Sequence, residues 1–205
     1  MQSEVLLNTW NRSWELDELL CPCDVHFLEW IDYHNIRDAT IFHFGTGSHH
    51  IVGIENSHPD RRNAVLGITA SRDEYEKYED IVTSRPYVLR YYHSIFADIY
   101  MLNGRLLPEF DIVTAFHLCE FRDERNDLYN ARTDLELLTM LTNRIKPGGY
   151  MLFYLSSDGF DRPNGNARDV IKNWERDCRV EHVGIFKTLD VYRKMGLSEN
   201  TSPGS

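Results

Sequence analysis

The sequence predicts an α/β fold with three layers, in which helices cover both faces of a mostly parallel sheet. Short apolar runs of strand length alternate with amphipathic stretches along residues 39–195, and repeated β–α–β units imply parallel strands with right-handed crossovers. The chain has 205 residues, which suits one α/β domain with a sizeable core. We expect a single domain over residues 1–195, with an N-terminal helical cap over 1–38 and a disordered tail over 196–205.

Seven apolar runs are the expected strands. They cover residues 39–44, 64–69, 87–92, 110–116, 150–155, 180–186 and 189–194. The third run leads to a connection that ends near Asp98. The fifth run is almost wholly apolar, which favours a central position in the sheet. The last two runs are close enough to pair as an antiparallel hairpin at one edge of the sheet.

Helix signals fall between these runs. They cover residues 13–35, which carry scattered aromatic side chains, and residues 49–57, 71–83, 133–145 and 167–178. Ser71 with Glu74, and Thr133 with Glu136, have the spacing of a capping box that opens a helix. The segment Lys146-Pro147-Gly148-Gly149 is expected to end the helix before it, because glycine tolerates the left-handed backbone of a C-cap.

The charge disfavours one class of partner. The net charge is −10 and the acidic residues are spread along the chain, whereas nucleic-acid binding needs a basic footprint. No apolar run approaches the length that spans a bilayer. We therefore expect a cytoplasmic protein that binds neither nucleic acid nor membrane, with a homodimer left open.

A glycine turn follows the first strand. The run Phe44-Gly45-Thr46-Gly47 would let backbone N–H groups approach a ligand at the carboxyl edge of the sheet. It would also serve as a tight strand-to-helix connection with no ligand. A nicotinamide site is disfavoured, because His50 and Thr69 stand where it needs a glycine and an acid. The Gly-Lys-Ser/Thr of a P-loop is absent from the sequence.

Four marks together resemble the class I S-adenosylmethionine-dependent methyltransferases, which have a Rossmann-like sheet. They are the glycine turn, the second strand ending in residues 66–71, the triplet Ala97-Asp98-Ile99, and the strand 110–113 followed by residues 144–149. The resemblance covers nearly all of residues 36–195. It implies an enzyme that transfers a methyl group from S-adenosyl-L-methionine, by in-line displacement at the sulfonium, to a small organic acceptor.

The resemblance also implies a set of site residues. The cofactor would contact His43, Phe44, Gly45, Thr46, Gly47, Thr69, Ala70, Asp98, Ile99 and Phe116. Its methionine part would lie over the glycines, its ribose near Thr69, and its adenine amino group against Asp98. His117 or Glu120 would take a proton from the acceptor. Alternatively, Asp98 caps the segment after it, and residues 117–130 form a solvated, charged loop.

Three positions depart from the family pattern. His43 replaces the acid two positions before the first glycine, His49 replaces the third glycine, and Thr69 replaces the ribose-binding carboxylate. These departures leave a second hypothesis open. In it, the chain is a non-catalytic methyltransferase-like protein that binds a nucleoside ligand or a protein partner.

Two groups of cysteine and histidine residues offer possible metal ligands. Cys21, Cys23 and His26 have spacing that a metal could use, but no fourth ligand is evident nearby. Histidines also gather around the glycine turn, at positions 43, 49, 50 and 58. The sequence favours ordinary thiols in the first case and structural or cofactor-facing histidines in the second, and we expect no metal.

Overall fold

A computed structural model of the protein describes residues 8–161 and 166–196, so residues 197–205 of the expected tail lie outside the described part. Seven strands form one sheet in the order β3-β2-β1-β4-β5-β7-β6. Their bounds are β1 Thr40–Phe44, β2 Ala64–Thr69, β3 Tyr92–Phe96, β4 Phe110–Ala115, β5 Ile145–Tyr154, β6 Val180–Phe186 and β7 Leu189–Lys194. Strands β1 to β5 pair in parallel, while β7 runs antiparallel to both β5 and β6. The predicted α/β fold is confirmed.

The described residues form six α-helices, of which α1 precedes β1 and the other five lie between strands. Their bounds are α1 Cys23–Tyr33, α2 Ile51–Asn56, α3 Arg72–Ser84, α4 Glu124–Leu128, α5 Asp134–Arg144 and α6 Ala167–Asp177. Successive side chains of a strand point to opposite faces of the sheet. Accordingly, Ile41 packs in a cluster with Phe27 of α1, whereas Phe42 packs in a separate cluster with Trp174 of α6. These two clusters are the interfaces of a three-layer fold. No described helix is both long enough and apolar enough to cross a bilayer.

The third strand begins later than the sequence predicts. Residues Pro86–Arg90 form a 3₁₀ helix, and β3 starts at Tyr92. Pro86 fixes its own φ at the first turn of that helix and has no N–H for a ladder. Tyr87 is 61% exposed while Val88 is buried. The aromatic and branched residues of this run thus serve a turn, and their strand propensity is overridden.

Two helix ends also differ from expectation. Within residues 8–22 there is no helix, and α1 begins only at Cys23. These residues, which we call the N-terminal segment, run extended across the carboxyl end of β2: Trp10 N–H donates to Ala70 O at 2.9 Å. Residues 146–149 do not cap α5, because they belong to β5, which begins at Ile145 directly after the helix. The capping box of Thr133 and Glu136 is present as predicted.

Candidate functional site

A cavity opens at the carboxyl edge of the sheet, where β1, β2, β3 and β4 end. Its empty space, counted together with the open solvent at its mouth, is about 890 Å³. The strand ends contribute Phe44, Gly45, Gly47, Thr69, Ala70, Asp98, Ile99, His117 and Glu120, all of them predicted site residues. The opposite wall comes from the N-terminal segment and the start of α1. The topology therefore brings nine of the twelve predicted site residues to one cavity. Their contacts with a ligand stay a prediction.

The glycine turn leaves no room for side chains. Gly45 has φ +90°, and a Cβ there would lie 2.7 Å from Cδ2 of His117. Gly47 has φ +55°, and a Cβ there would lie 2.4 Å from Nε2 of His49. Both backbone conformations favour glycine. The two glycines of the turn therefore carry no side chain of their own, and the His117 and His49 rings lie directly against their backbone.

A carboxylate stands at the end of β2, although the sequence has a threonine there. The Thr69 hydroxyl donates to Glu74 Oε2 at 2.5 Å, and the Trp14 N–H donates to Oε1 at 3.2 Å. Burial raises the pKa of Glu74. Ser71 caps α3 as predicted, but the Glu74 side chain turns into the cavity instead of completing the capping box. The spacing from Ser71 predicts Glu74 at the helix start and gives no sign that its side chain enters the cavity.

Asp98 has structural partners on both carboxylate oxygens. Oδ1 accepts from the Tyr100 N–H at 2.9 Å, which caps the 3₁₀ helix Ile99–Met101. Oδ2 accepts from the Tyr129 hydroxyl at 2.5 Å and from Asn126 Nδ2 at 3.0 Å. The capping alternative is therefore correct, and the same side chain also lines the cavity. A buried carboxylate held by three donors is rigidly oriented.

Three predicted site residues lie beneath the cavity lining. Phe116 is fully buried and packs edge-to-face on Phe27, with ring centroids 5.8 Å apart. Thr46 is buried, with its methyl group against Gly67. His43 Nδ1 is hydrogen-bonded to Thr114 Oγ1 at 2.8 Å. None of the three side chains lines the cavity.

Burial keeps the His43 imidazole neutral. It lowers the pKa of His43 to about 3, with the nearby histidines adding to the effect. A neutral ring does not repel a cationic ligand. A carboxylate lies close by, because that of Asp24 in α1 is 3.6 Å from His43 Nε2 and 3.5 Å from His49 Nε2. Burial raises the pKa of Asp24 to about 7.

His117 and Glu120 form a hydrogen-bonded pair, with Nδ1 and Oε2 3.1 Å apart. Burial alone would lower the pKa of His117, but the hydrogen bond and charge of Glu120 outweigh it and raise that pKa to about 9. An imidazole that is protonated at neutral pH cannot accept a further proton. The role of proton acceptor expected of His117 is thus disfavoured at neutral pH.

Two thiols lie against this pair. Cys21 Sγ and Cys23 Sγ are 3.5 Å apart. The hydrogen bond from Cys23 lowers the pKa of Cys21 to about 6, against the effect of burial. The ligand atoms of Cys21, Cys23 and His117 all lie within 4.8 Å of one another. His26, the third residue of the cluster considered from sequence, instead pairs through Nδ1 with Thr188 Oγ1 at 2.8 Å.

The buried His43 predicts acid sensitivity of the fold. Its pKa is about 3 in the folded chain and about 6.5 when unfolded. The unfolded chain therefore binds more protons between these values, and stability falls as pH drops from about 6.5 towards 3. His43→Gln should make this slope shallower by up to about 1.4 kcal/mol per pH unit. Urea unfolding at several pH values measures it, and the exposed His58→Gln serves as control. Equal slopes for His43→Gln and the natural chain would contradict a neutral buried His43.

The strand order, the antiparallel β7 and the cavity above the glycine turn together define the class I methyltransferase fold. No family model and no curated protein matches the sequence. Among solved structures, the chain is similar to an S-adenosylmethionine-dependent methyltransferase from Clostridium acetobutylicum ATCC 824. The TM-score is 0.57 at 12% identity, covering 89% of this chain and 94% of the other.

Two further structures show the range of proteins with this fold. The N-methyltransferase NodS from Bradyrhizobium japonicum WM9 matches with TM-score 0.55 and 15% identity, over 88% of this chain and 100% of NodS. The [4+2]-cyclase SpnF matches with TM-score 0.57 and 17% identity, over 83% of this chain, which spans 63% of that protein. Such low identities show a shared fold, and the fold serves more than one reaction.

Proposed function

We propose that the protein binds S-adenosylmethionine and transfers its methyl group to a small organic acceptor. One observation carries the proposal: the bare glycine turn, the Glu74 carboxylate and the Asp98 carboxylate converge on one cavity at the carboxyl edge of the sheet. That edge is where open α/β sheets bind their ligands. NodS has also been solved with S-adenosyl-L-homocysteine bound.

The residues present fit this cofactor. Gly45 and Gly47 line the cavity without side chains of their own, and the His117 and His49 rings beside them would contact the same ligand. Glu74 supplies, beside Thr69, the carboxylate that the family pattern places at the end of β2. Each carboxylate oxygen has two lone pairs. Glu74 Oε1, Glu74 Oε2 and Asp98 Oδ1 each accept one of the hydrogen bonds described above, so each retains a lone pair for ribose hydroxyls or the adenine amino group.

Bound S-adenosylmethionine supplies an activated methyl group, and an acceptor lone pair displaces the sulfur in line. The chain's own residues then need to orient the reactants and exclude water. The N-terminal segment suits this role, since Ser48 N–H donates to Trp14 O at 2.7 Å and ties the segment to the glycine turn. Glu120, paired with His117, lines the cavity on the β4 side and would accept an acceptor proton.

A second candidate function has one observation in its favour. The His49 ring fills the space beside Gly47 that the family pattern leaves to a third glycine. A ligand that approaches this part of the turn must share the space with an imidazole. The chain would then bind a nucleoside or a protein partner without transferring a methyl group.

Calorimetric titration with S-adenosylmethionine and S-adenosylhomocysteine tests the proposal. We expect saturable binding of both ligands at one site per chain. Absence of binding up to millimolar ligand would contradict the proposed function. Binding of both ligands, without methyl transfer to any of a panel of amines, thiols, hydroxyls and carboxylates, would instead favour the second candidate.

Glu74→Gln should weaken S-adenosylhomocysteine binding about tenfold, because a neutral amide accepts hydrogen bonds more weakly than a carboxylate. Calorimetry measures the change. Glu76→Gln is the matched control, since Glu76 lies exposed on the same helix. Equal affinities of the two variants would show that Glu74 does not contact the ligand.

A further inference from the structure

We propose that Cys21, Cys23 and His117 bind one Zn²⁺ ion in the wall of the cavity, with a fourth coordination position open to it. The proposal goes beyond methyl transfer and does not require it. It rests on the distances between the three ligand atoms, on the partner of the His117 ring, and on the charge of the assembled site.

The three ligand atoms lie close enough together to reach one ion. Zinc binds sulfur at about 2.3 Å and imidazole nitrogen at about 2.0–2.1 Å, so tetrahedral ligand atoms stand about 3.5–3.8 Å apart. The two sulfurs are 3.5 Å apart, and all three ligand atoms lie within 4.8 Å of one another. Rotamer adjustments of a few tenths of an ångström to about 1 Å would therefore close the site around the ion.

The His117 ring is held as a ligand imidazole is usually held. Its Nδ1 is hydrogen-bonded to Glu120 Oε2 at 3.1 Å, which leaves Nε2 for the ion. A carboxylate behind a zinc-bound histidine fixes the tautomer and the ring orientation. The ring also packs against the bare backbone of Gly45. The turn and Glu120 thus position the imidazole from two sides.

The charge of the assembled site favours the ion as well. Zn²⁺ would displace the protons of the two thiols and one proton of His117. Two thiolates with a neutral imidazole then give no net charge around the ion, so burial costs little. Cys23 is 2% exposed and begins α1, whereas Cys21 is half-buried and precedes it. Soft thiolate ligands with one imidazole select zinc over the hard cations Mg²⁺ and Ca²⁺.

The fourth position faces a ligand cavity. All three residues line it, and zinc sites with three protein ligands keep water or a substrate atom in the remaining place. The ion would therefore present an exchangeable position beside the glycine turn. Loss of the ion should change the cavity without unfolding the core.

Co²⁺ titration of the fully reduced, metal-free chain tests the site. We expect one Co²⁺ per chain, with a thiolate-to-metal charge-transfer band and the intense visible bands of tetrahedral cobalt. An equivalent of Zn²⁺ should abolish both signals. If thiol titration finds all four cysteines reduced and no cobalt band develops, the proposal is overturned.

Single substitutions assign the ligands. Cys21→Ser, Cys23→Ser and His117→Gln should each abolish the tetrahedral spectrum, and Glu120→Gln should weaken Co²⁺ binding about tenfold. His26→Gln and Cys178→Ser are matched controls that should bind normally. Loss of binding in His26→Gln with retention in His117→Gln would overturn the assignment. Circular dichroism checks that each variant is folded. Cys21 is half-buried, so Cys21→Ser is the substitution expected to disturb core packing least.

S-adenosylhomocysteine titrations on the same samples keep the two proposals separate. Cobalt binding without S-adenosylhomocysteine binding would contradict the proposed function and support the metal site. The reverse result would overturn the metal site and leave the proposed function standing.

Discussion

A Gly47→Val chain should bind S-adenosylhomocysteine at least about 100-fold more weakly than the natural chain, a loss of about 2.7 kcal/mol or more. Gly47 has φ +55°, which a β-branched residue adopts only under strain. A Cβ there would also lie 2.4 Å from His49 Nε2 and 2.9 Å from the backbone oxygen of Trp14. The turn must therefore shift, and the cavity wall on the N-terminal segment shifts with it. Calorimetry with S-adenosylhomocysteine measures the loss.

Gly148→Val is the control for this prediction. Gly148 has φ +82°, and a Cβ there would meet nothing within 4 Å. The substitution thus carries a similar backbone cost, about 1–2 kcal/mol, at a distance from the cavity. Gly148→Val should be somewhat less stable and bind normally. If both variants lose affinity alike, the effect is on the fold, and the glycine turn is not the ligand cradle.

Trp174→Ala should lower the free energy of unfolding by about 3–5 kcal/mol. Trp174 is fully buried, and it packs edge-to-face on Phe153 of β5 and Tyr192 of β7. Its indole N–H donates to Thr142 Oγ1 of α5 at 2.8 Å. One side chain therefore joins α5, α6 and the antiparallel half of the sheet. Truncation leaves a large cavity and a hydroxyl without its donor.

Thermal unfolding measures this effect, with Trp174→Phe as the matched variant. For a chain of this size each kcal/mol lowers Tm by about 2–4 °C, so we expect a drop of about 6–20 °C for alanine. Phenylalanine keeps most of the packing and loses the hydrogen bond, which should cost about 1–2 kcal/mol. Equal losses in the two variants would assign the effect to the hydrogen bond and not to the packing.

Most of the fold is predictable because its signals are local. The run Thr40–Phe44, the capping box at Thr133 and the hairpin Val180–Lys194 each carry their own pattern of apolar residues or turns. The run at residues 87–92 was misassigned since branched and aromatic residues favour a strand wherever they occur. Its conformation is decided by Pro86 and by pairing of the following residues with β2.

The candidate site likewise contains residues that the sequence predicts and residues that it does not. The glycine turn and Asp98 are recognisable because each follows directly from the end of a strand. Glu74 and Asp24 reach the cavity from helices. The sequence pattern of a capping box is the same whether the glutamate side chain caps its helix or turns into the cavity. The pairing of Cys21 with His117 spans almost a hundred positions, and short-range spacing pointed to His26 instead. Only the tertiary fold determines which histidine lies beside the two thiols.

The N-terminal segment has a consequence for the order in which the molecule assembles. Asn8 Nδ2 donates to Asn126 Oδ1, 118 positions along the chain, and Trp10 pairs with Ser71 at the end of β2. Contacts of such long sequence separation form late, because the loop between them must first be closed. The Asn8 contact needs the chain as far as Asn126, so this wall cannot be complete until α4 is in place. Ligand binding would therefore report a chain that has folded through α4.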